Sequence, residues 1–483
     1  MDIRVTERMG TRFANDQLRR HAAELQRTQQ EISSGLRLHR PSDDPAAMRR
    51  SIIQKDQLDR LETHVDSVNH VKARLNSAHV QLREAQQLMV KARGVALSIS
   101  QATEPAEQRI LASELDGILN QLISVANAQD ENGFLFAGQA TRTEPFAVAR
   151  SAGAIQGVTY QGNSDTSGLH ITGQETREAL VAGNHIFQHR ERDDTVILGS
   201  TGLSSGTGTD TGNGRATIEI THTSTWYAAG SNVGPGTSMA SDDTIIGPLG
   251  ANYLTIVDTS GTGAFGTISL NGGAEFAFTN TDTDLQVTGP SGEVVHLNTT
   301  AINPGFAGDI QLVGNGEMSL DGGQTTTPIA FGNNQSVINP QDGSTIYLDT
   351  TTLRQVGTAH VEFPGTSDVF QLLLSLKEDV LNERGLGNED RFAAVERQLA
   401  DLERLENHLL DEVGVQSVAL EQMERLQTRT EDLVLEQKTK YGETTSADIA
   451  DAAVRMQELL TLQQFTMASV SRVLSQNLLD FIQ

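Results

Sequence analysis

Apolar residues recur at steps of three and four along two long stretches, one toward each end of the chain. Leu18, Leu25 and Ile32 share a heptad position, and after a break Leu61, Val65, Val68, Val71, Leu75, Ala78, Leu82, Ala85, Met89, Ala92, Ala96 and Ile99 carry the stripe on. A spacing sustained this long predicts a coiled-coil seam rather than a globular helix. At ~1.5 Å per residue, positions 58–101 would make a rod on the order of 65 Å. A further helix is expected after Pro105, with Leu111, Leu115, Ile118, Leu122 and Val125 on one face. The C-terminal end repeats the pattern: Phe392, Val395, Leu399, Leu402, Leu405, Leu409 and Val413 lead into Leu420, Met423, Leu426 and Leu433. A break is expected at Tyr441-Gly442, then a capping box from Thr445 and Asp448. The last helix carries Ile449, Ala453, Met456, Leu460, Met467, Val470, Leu474, Leu478 and Phe481.

Between these ends the period changes to two. Runs such as 216–220, 266–270, 275–278 and 345–348 alternate apolar and polar residues between Gly, Asn, Asp and Ser, as strands do. Residues 285–295 read as a hairpin turning at Gly289–Gly292, and the Gly/Thr-rich stretch 200–214 as a flexible linker or surface loop. Glycine follows the same division, with four in residues 1–130, 36 in 131–370 and four in 371–483. The expected class is therefore α+β: an elongated antiparallel helical coiled-coil rod formed by both termini, with a central all-β insertion. The expected divisions are 1–45 with 446–483 as terminal helical polymer-core segments, 46–145 with 366–445 as the rod, 146–192 as a small mixed region at its end, and 193–365 as a surface-exposed acidic β insertion.

Charge sharpens the division. The 483 residues hold 62 acidic and 36 basic side chains, a formal charge of −26, yet positions 193–353 alone contain sixteen acidic residues against one basic, Arg215. The first sixty residues are mildly basic, twelve against nine. Such acidity works against a nucleic-acid binder, which needs a basic stripe to release counterions. The chain has no cysteine, which excludes disulfide scaffolds, thiolate metal sites and cysteine nucleophiles. No apolar run of ~18 residues exists to span a bilayer, and the N-terminus lacks the apolar segment of a secretory signal.

Catalytic chemistry finds no foothold. Gly206, Gly208 and Gly212 lack the spacing and strand-to-helix setting of a phosphate loop. Residues 280–284 place oxygen ligands alternately, as a calcium loop does, but Leu285 stands where the sharp turn needs glycine. His185 and His189 lie four apart without the adjacent glutamate of a metalloprotease helix. The expectation is a non-enzymatic protein with no cofactor and no metal. The end segments, before about Leu36 and after about Ile449, are marginal helices in isolation and are expected to order against neighbours.

The motif Ile32-Ser33-Ser34-Gly35-Leu36-Arg37-Leu38 resembles the end of the first helix in the bacterial flagellin superfamily. Its continuation, Arg40-Pro41-Ser42-Asp43-Asp44-Pro45-Ala46, looks like the hook-filament junction branch, the hook-associated protein 3 family. Asn132-Gly133-Phe134-Leu135-Phe136-Ala137-Gly138, with Thr141, Thr143, Pro145 and Phe146, is similar to a second mark of that branch, and the tail from Ala450 resembles its terminal helix. The resemblance covers residues 1–190 and 366–483. It implies a structural adaptor that is exported without a cleaved signal and assembles outside the cell as a ring. Hook-associated protein 1 would lie on one side and flagellin on the other, and an export chaperone would bind the C-terminal helix. Alternatives are a filament-forming flagellin, or an adhesin or other binding module carried by the β insert. The expected assembly interface is Leu18, Leu25, Ile32, Met456, Leu460, Met467, Val470, Leu474, Leu478 and Phe481. The connector and motif residues are Ser34, Gly35, Arg37, Pro41, Ser42, Asp43, Asp44, Pro45, Asn132, Gly133, Phe136, Ala137 and Gly138.

Overall fold

In the computed structural model the backbone is described over residues 3–99, 104–165, 167–172 and 175–482, and side chains over 9, 12–13, 15–99, 104–165 and 181–472. Long helices occupy both ends, α1 (Ile3–Ser34), α2 (Pro45–Ile99) and α3 (Pro105–Ala126) at one and α6 (Val369–Leu381), α7 (Asn388–Thr445) and α8 (Ile449–Ile482) at the other, with the short α4 (Gly183–Phe187) and α5 (Met239–Asp242) between. Strands fill the middle, as the change of period requires. The chain divides into two compact units, one built from the chain up to Ala73, the 169–177 segment and the chain from Ala419, the other from the remainder.

In the unit of the chain ends, α1 packs on α8. There α2 runs antiparallel to α7: the Gln437 amide donates to the Gln54 carbonyl at 3.2 Å, Lys438 pairs with Glu62 at 2.9 Å, and Lys72 reaches Glu424 at 3.2 Å and Gln427 at 3.1 Å. Val68 and Val71 of the stripe are buried in this unit. The expected break at Tyr441-Gly442 does not occur, and α7 runs through to Thr445. One glycine costs a helix only about 1 kcal/mol, less than the packing it would forfeit. The helix stops where the Thr445 carbonyl accepts the Arg37 N–H at 2.8 Å.

In the second unit the stripe continues as Leu75, Leu82, Ala85, Met89, Ala92, Ala96 and Ile99, all buried, and Arg93 lies 3.5 Å from Glu406. Phe392, assigned to the C-terminal seam, is instead exposed here, as is Leu433 in the unit of the chain ends. The Arg391 guanidinium sits over the Phe392 ring at 5.3 Å.

The second unit is keyed by aromatic packing. Phe146 meets Phe187 edge-on at 5.5 Å, Phe370 at 5.0 Å and Tyr160 at 5.1 Å, while Phe136 meets Phe187 at 5.5 Å. These rings come from the 132–138 motif, the hairpin Phe146–Ser151/Ala154–Tyr160, α4 and α6. Two motif glycines permit it. A Cβ on Gly138 (φ +63°) would lie 2.1 Å from the Asn163 carbonyl oxygen, and one on Gly133 (φ +112°) 2.2 Å from that of Thr141. Arg74 on α2 is buried and donates to the Phe134 carbonyl at 3.1 Å, with Asp130 3.6 Å away.

The insert is two-layered. Its large sheet runs in the order 276–279, 265–270, 247–258, 307–319, 214–227, 357–363, 196–198, with 326–328 beside 307–319. On its inner face Leu254, Ile256, Ile268, Ile310 and Leu312 pack on Val287, Val295 and Leu297 of the three-stranded sheet 234–235/294–298/285–288. Further along the same face, Ile218, Ile220, Met318 and Val361 pack on Val337, Ile346 and Leu348 of the sheet 335–338/345–349/204–205. The expected hairpin is present, with Thr288 opposite Val294.

The 200–214 stretch is not a flexible linker. Gly206 N–H donates to the Tyr347 carbonyl at 2.8 Å and Thr211 N–H to that of Thr345 at 2.9 Å. A Cβ on Gly208 would fall 2.1 Å from the Tyr347 ring, so these glycines serve close packing rather than freedom. Asp282 and Asp284, in the stretch weighed for calcium, accept from the backbone of Thr279 and Ser238.

A buried ion cluster fastens the large sheet to α6 and α7. Arg215 bonds Asp379 and Glu378 and lies 3.6 Å from Glu362; Arg384 bonds Asp379 at 2.7 Å and lies 2.7 Å from Glu362; and Arg397 bonds Glu362 at 2.6 Å. Burial pushes the Glu362 carboxyl up, but the three arginines outweigh it and leave it below the usual range. Phe146→Ala should cost about 3–5 kcal/mol in urea unfolding, whereas Phe134→Ala, at the half-buried motif position, should cost clearly less.

Candidate assembly surfaces

The α1–α2 connector is built by backbone exchange with the α7–α8 connector. Gly35 ends α1 at φ +67°, where a side chain would be strained, and its N–H returns to Glu31 at 2.8 Å. Leu36 bridges Ser446, Arg37 N–H donates to Thr445, and Ala447 N–H donates to the Gly35 carbonyl at 2.9 Å. The Arg37 guanidinium adds a bond to the Thr444 carbonyl at 3.2 Å, and Ser34 Oγ lies 2.7 Å from His39 Nε2.

Pro41 and Ser42 form the exposed turn, and Pro45 opens α2. Asp44 caps that helix, accepting from Ala46 at 3.1 Å and Ala47 at 2.9 Å. Asp43 closes the turn by accepting from His39 at 3.2 Å and Arg40 at 2.8 Å. The Arg40 N–H bond holds the Asp43 carboxyl below its usual range, and the Ala47 N–H bond does the same for Asp44. Beside the turn lies a cleft of about 530 Å³ lined by Arg27, Gln30, Arg37, His39, Arg40 and Asp43 among others. Asp448 caps α8 through Ala450 and Asp451, so it serves as the cap itself, while the Thr445 hydroxyl donates back to Tyr441 inside α7.

The expected interface residues divide. Leu18, Leu25, Ile32, Met456 and Val470 are half-buried, Leu460 and Met467 are exposed, and the side chains of Leu474, Leu478 and Phe481 lie outside the described residues. The heptad pattern therefore located mainly the face that α1 and α8 offer each other. It missed further exposed apolar residues: Phe13 is 67% and Phe465 70% exposed, with Met9, Val454 and Leu462 also open to water, while Ile449 of the stripe is exposed as well. The available signal was the extra apolar residues off the α8 stripe, since a helix apolar on more than one face needs more than one partner. Ile52 and Ile53 on α2 are likewise exposed. Of the 132–138 motif, Phe136, Ala137 and Gly138 are buried, Gly133 is half-buried and Asn132 is exposed. That motif is a packing element of the second unit.

Residues 7–141 match the family described as the bacterial flagellin N-terminal helical region. The likeness to flagellins is thus placed in the first 141 residues. Both motifs described above fall inside it. The flagellar hook-associated protein 3 of Salmonella typhimurium is 30% identical over 152 residues, covering 29% of this chain and 46% of that protein. The protein of the same name from Escherichia coli is 27% identical over 173 residues, covering 34% and 50%. The chain thus spans about half the length of the curated relatives it matches. Among solved structures, FlgL of Xanthomonas campestris aligns at 16% identity with a TM-score of 0.40 over 80% of this chain and 99% of that one. The flagellar junction protein FlgL of Legionella pneumophila aligns at 14% identity and 0.40, over 82% and 99%.

The depressed carboxyl pKa values of Asp43 and Asp44 give the connector a pH dependence. A group whose folded pKa is lowered contributes stability above its unfolded value, and that stability is lost as pH falls through the folded value. Hydrogen-exchange protection at Ala46 and Ala47 should therefore persist at neutral pH and through the usual carboxylate range, then fall below it. Asp44→Ala should remove that protection already at neutral pH.

Proposed function

We propose that this chain is a structural component of the bacterial flagellum, an adaptor that joins the hook to the flagellin filament. The reading rests on one observation above the rest: the flagellin-type region carries the Pro41–Pro45 connector, and the terminal helices it orders keep an apolar face that the chain itself leaves uncovered. The curated relatives named hook-associated protein 3 support the junction role over a filament-forming one. On this reading residues 1–45 and 446–483 supply contacts to neighbouring subunits, through Phe13, Val454, Leu460, Phe465 and Met467 as well as the outermost positions. The partners are further copies of the chain in a ring, with hook-associated protein 1 on one side and flagellin on the other. The C-terminal helix meets an export chaperone before assembly. Export proceeds without a cleaved signal, the site of action is extracellular, and the role is architectural rather than catalytic.

A bacterium carrying the chain truncated at residue 449 in place of the full-length protein should make the protein but fail to retain filaments, and electron microscopy should find bare hooks. Filaments attached at normal frequency would sink the proposal. Long filaments formed by the purified chain alone would favour flagellin itself.

A further inference from the structure

The large sheet of the insert has an outer face that is only partly covered. Side chains directly opposite in an antiparallel pair share a face. Arg215 opposite Glu362 therefore marks the end of that face covered by α6 and α7. At the other end, Val313 lies opposite Trp226, Gln311 opposite Tyr253, and Asp309 opposite Thr255. Trp226 is 52% exposed and Tyr253 37%, and Phe265 at the start of the next strand is 56% exposed. Trp226 is the only tryptophan of the chain. Two strand spacings and a two-residue offset put Trp226 and Tyr253 roughly 12 Å apart along the sheet. Between them stand half-buried Val313 and exposed Gln311, with Asp309 nearby, whose carboxylate accepts the Thr255 hydroxyl at 2.6 Å, and Val257 exposed further along the same strand.

The geometry points to this face as a binding surface for a polysaccharide free of acidic groups. Separated flat rings with hydrogen-bonding side chains between them suit an extended sugar chain. Its C–H faces lie on aromatic rings while its hydroxyls need donors and acceptors at the same level. A protein partner would instead call for a contiguous apolar core with a polar rim. Charge selects the occupant further. Sixteen acidic residues against Arg215 over 193–353 repel carboxylated, sulfated or phosphorylated polymers, and equally a second copy of the same insert. The same field attracts amines, so amine-bearing sugars bind best, uncharged ones next, and acidic ones least. This inference does not depend on the junction role.

The single tryptophan makes the test direct. The purified full-length chain is titrated with cello-oligosaccharides, partially deacetylated chito-oligosaccharides and oligogalacturonate, following Trp226 emission. A saturable blue shift is expected for the first two, tighter for the amine-bearing sugar and weakened there by added salt, with no shift for the acidic one. Tyr253→Ala should lower affinity roughly tenfold, the scale of one lost stacking platform, with thermal unfolding unchanged, and Tyr253→Phe should restore it. Emission unmoved by all three probes, strongest binding of the acidic one, or affinity unaffected by Tyr253→Ala would overturn the inference. A shift driven by protein concentration alone would do the same, by assigning the face to a second copy.

Discussion

The pairing of the first helix with the last, distant in sequence but packed together, is the constraint on which the unit of the chain ends depends. In the unit of the chain ends, α1 lies on α8 and α2 runs antiparallel to α7. A chain that departs along α2 and comes back along α7 can carry any folded segment between them without disturbing either stripe. The β insert is such a segment. What it requires is a fixed attachment, and the ion cluster of Arg215, Glu362, Asp379, Arg384 and Arg397 supplies one. Every buried carboxylate in it faces at least two arginines, so desolvation is offset by pairing rather than left standing.

The stripe from Val68 to Ile99 was legible because burial on one face of a helix leaves a period that survives any change of neighbour. The connector was legible because each of its residues answers a local demand: positive φ at Gly35, a fixed φ at Pro45, an acceptor at Asp44. Where local and tertiary demands differed, the sequence misled. Gly442 signals a break, yet packing carries α7 through it. Phe392 fits the heptad but lies exposed beneath Arg391. The glycines of 200–214 look like freedom and act as clearance for Tyr347 and Phe363. Arg74, a single polar residue within an apolar stripe, gave no hint that it holds the 132–138 motif, because its partners lie some sixty residues away.

The candidate surfaces were half legible for a related reason. A heptad stripe identifies the face that must be covered by something, and in α8 the most regular stripe is largely the one covered by α1. The apolar residues that stay exposed include stripe members, Ile449, Leu460 and Met467, and others that break the period, such as Val454, Leu462 and Phe465. Periodicity therefore marks the stripe as a whole and passes over the exposed apolar residues that lie off it. The irregular remainder is the better place to look for what a helix pair meets outside its own chain.

Charge distribution then separates two kinds of surface that composition alone had blended. Of the net −26, the 193–353 stretch carries −15 and the first sixty residues carry +3. Copies of the chain that meet through their near-neutral helical ends bring little like charge together, and at physiological salt fields fade over ~8 Å. Copies that met through their inserts would each bring a stretch of net charge −15 to the encounter. Like-charge repulsion therefore opposes contact between two inserts far more than contact between two sets of helical ends. The exposed rings of Trp226, Tyr253 and Phe265 thus lie on the part of the chain where like-charge repulsion most opposes a self-contact.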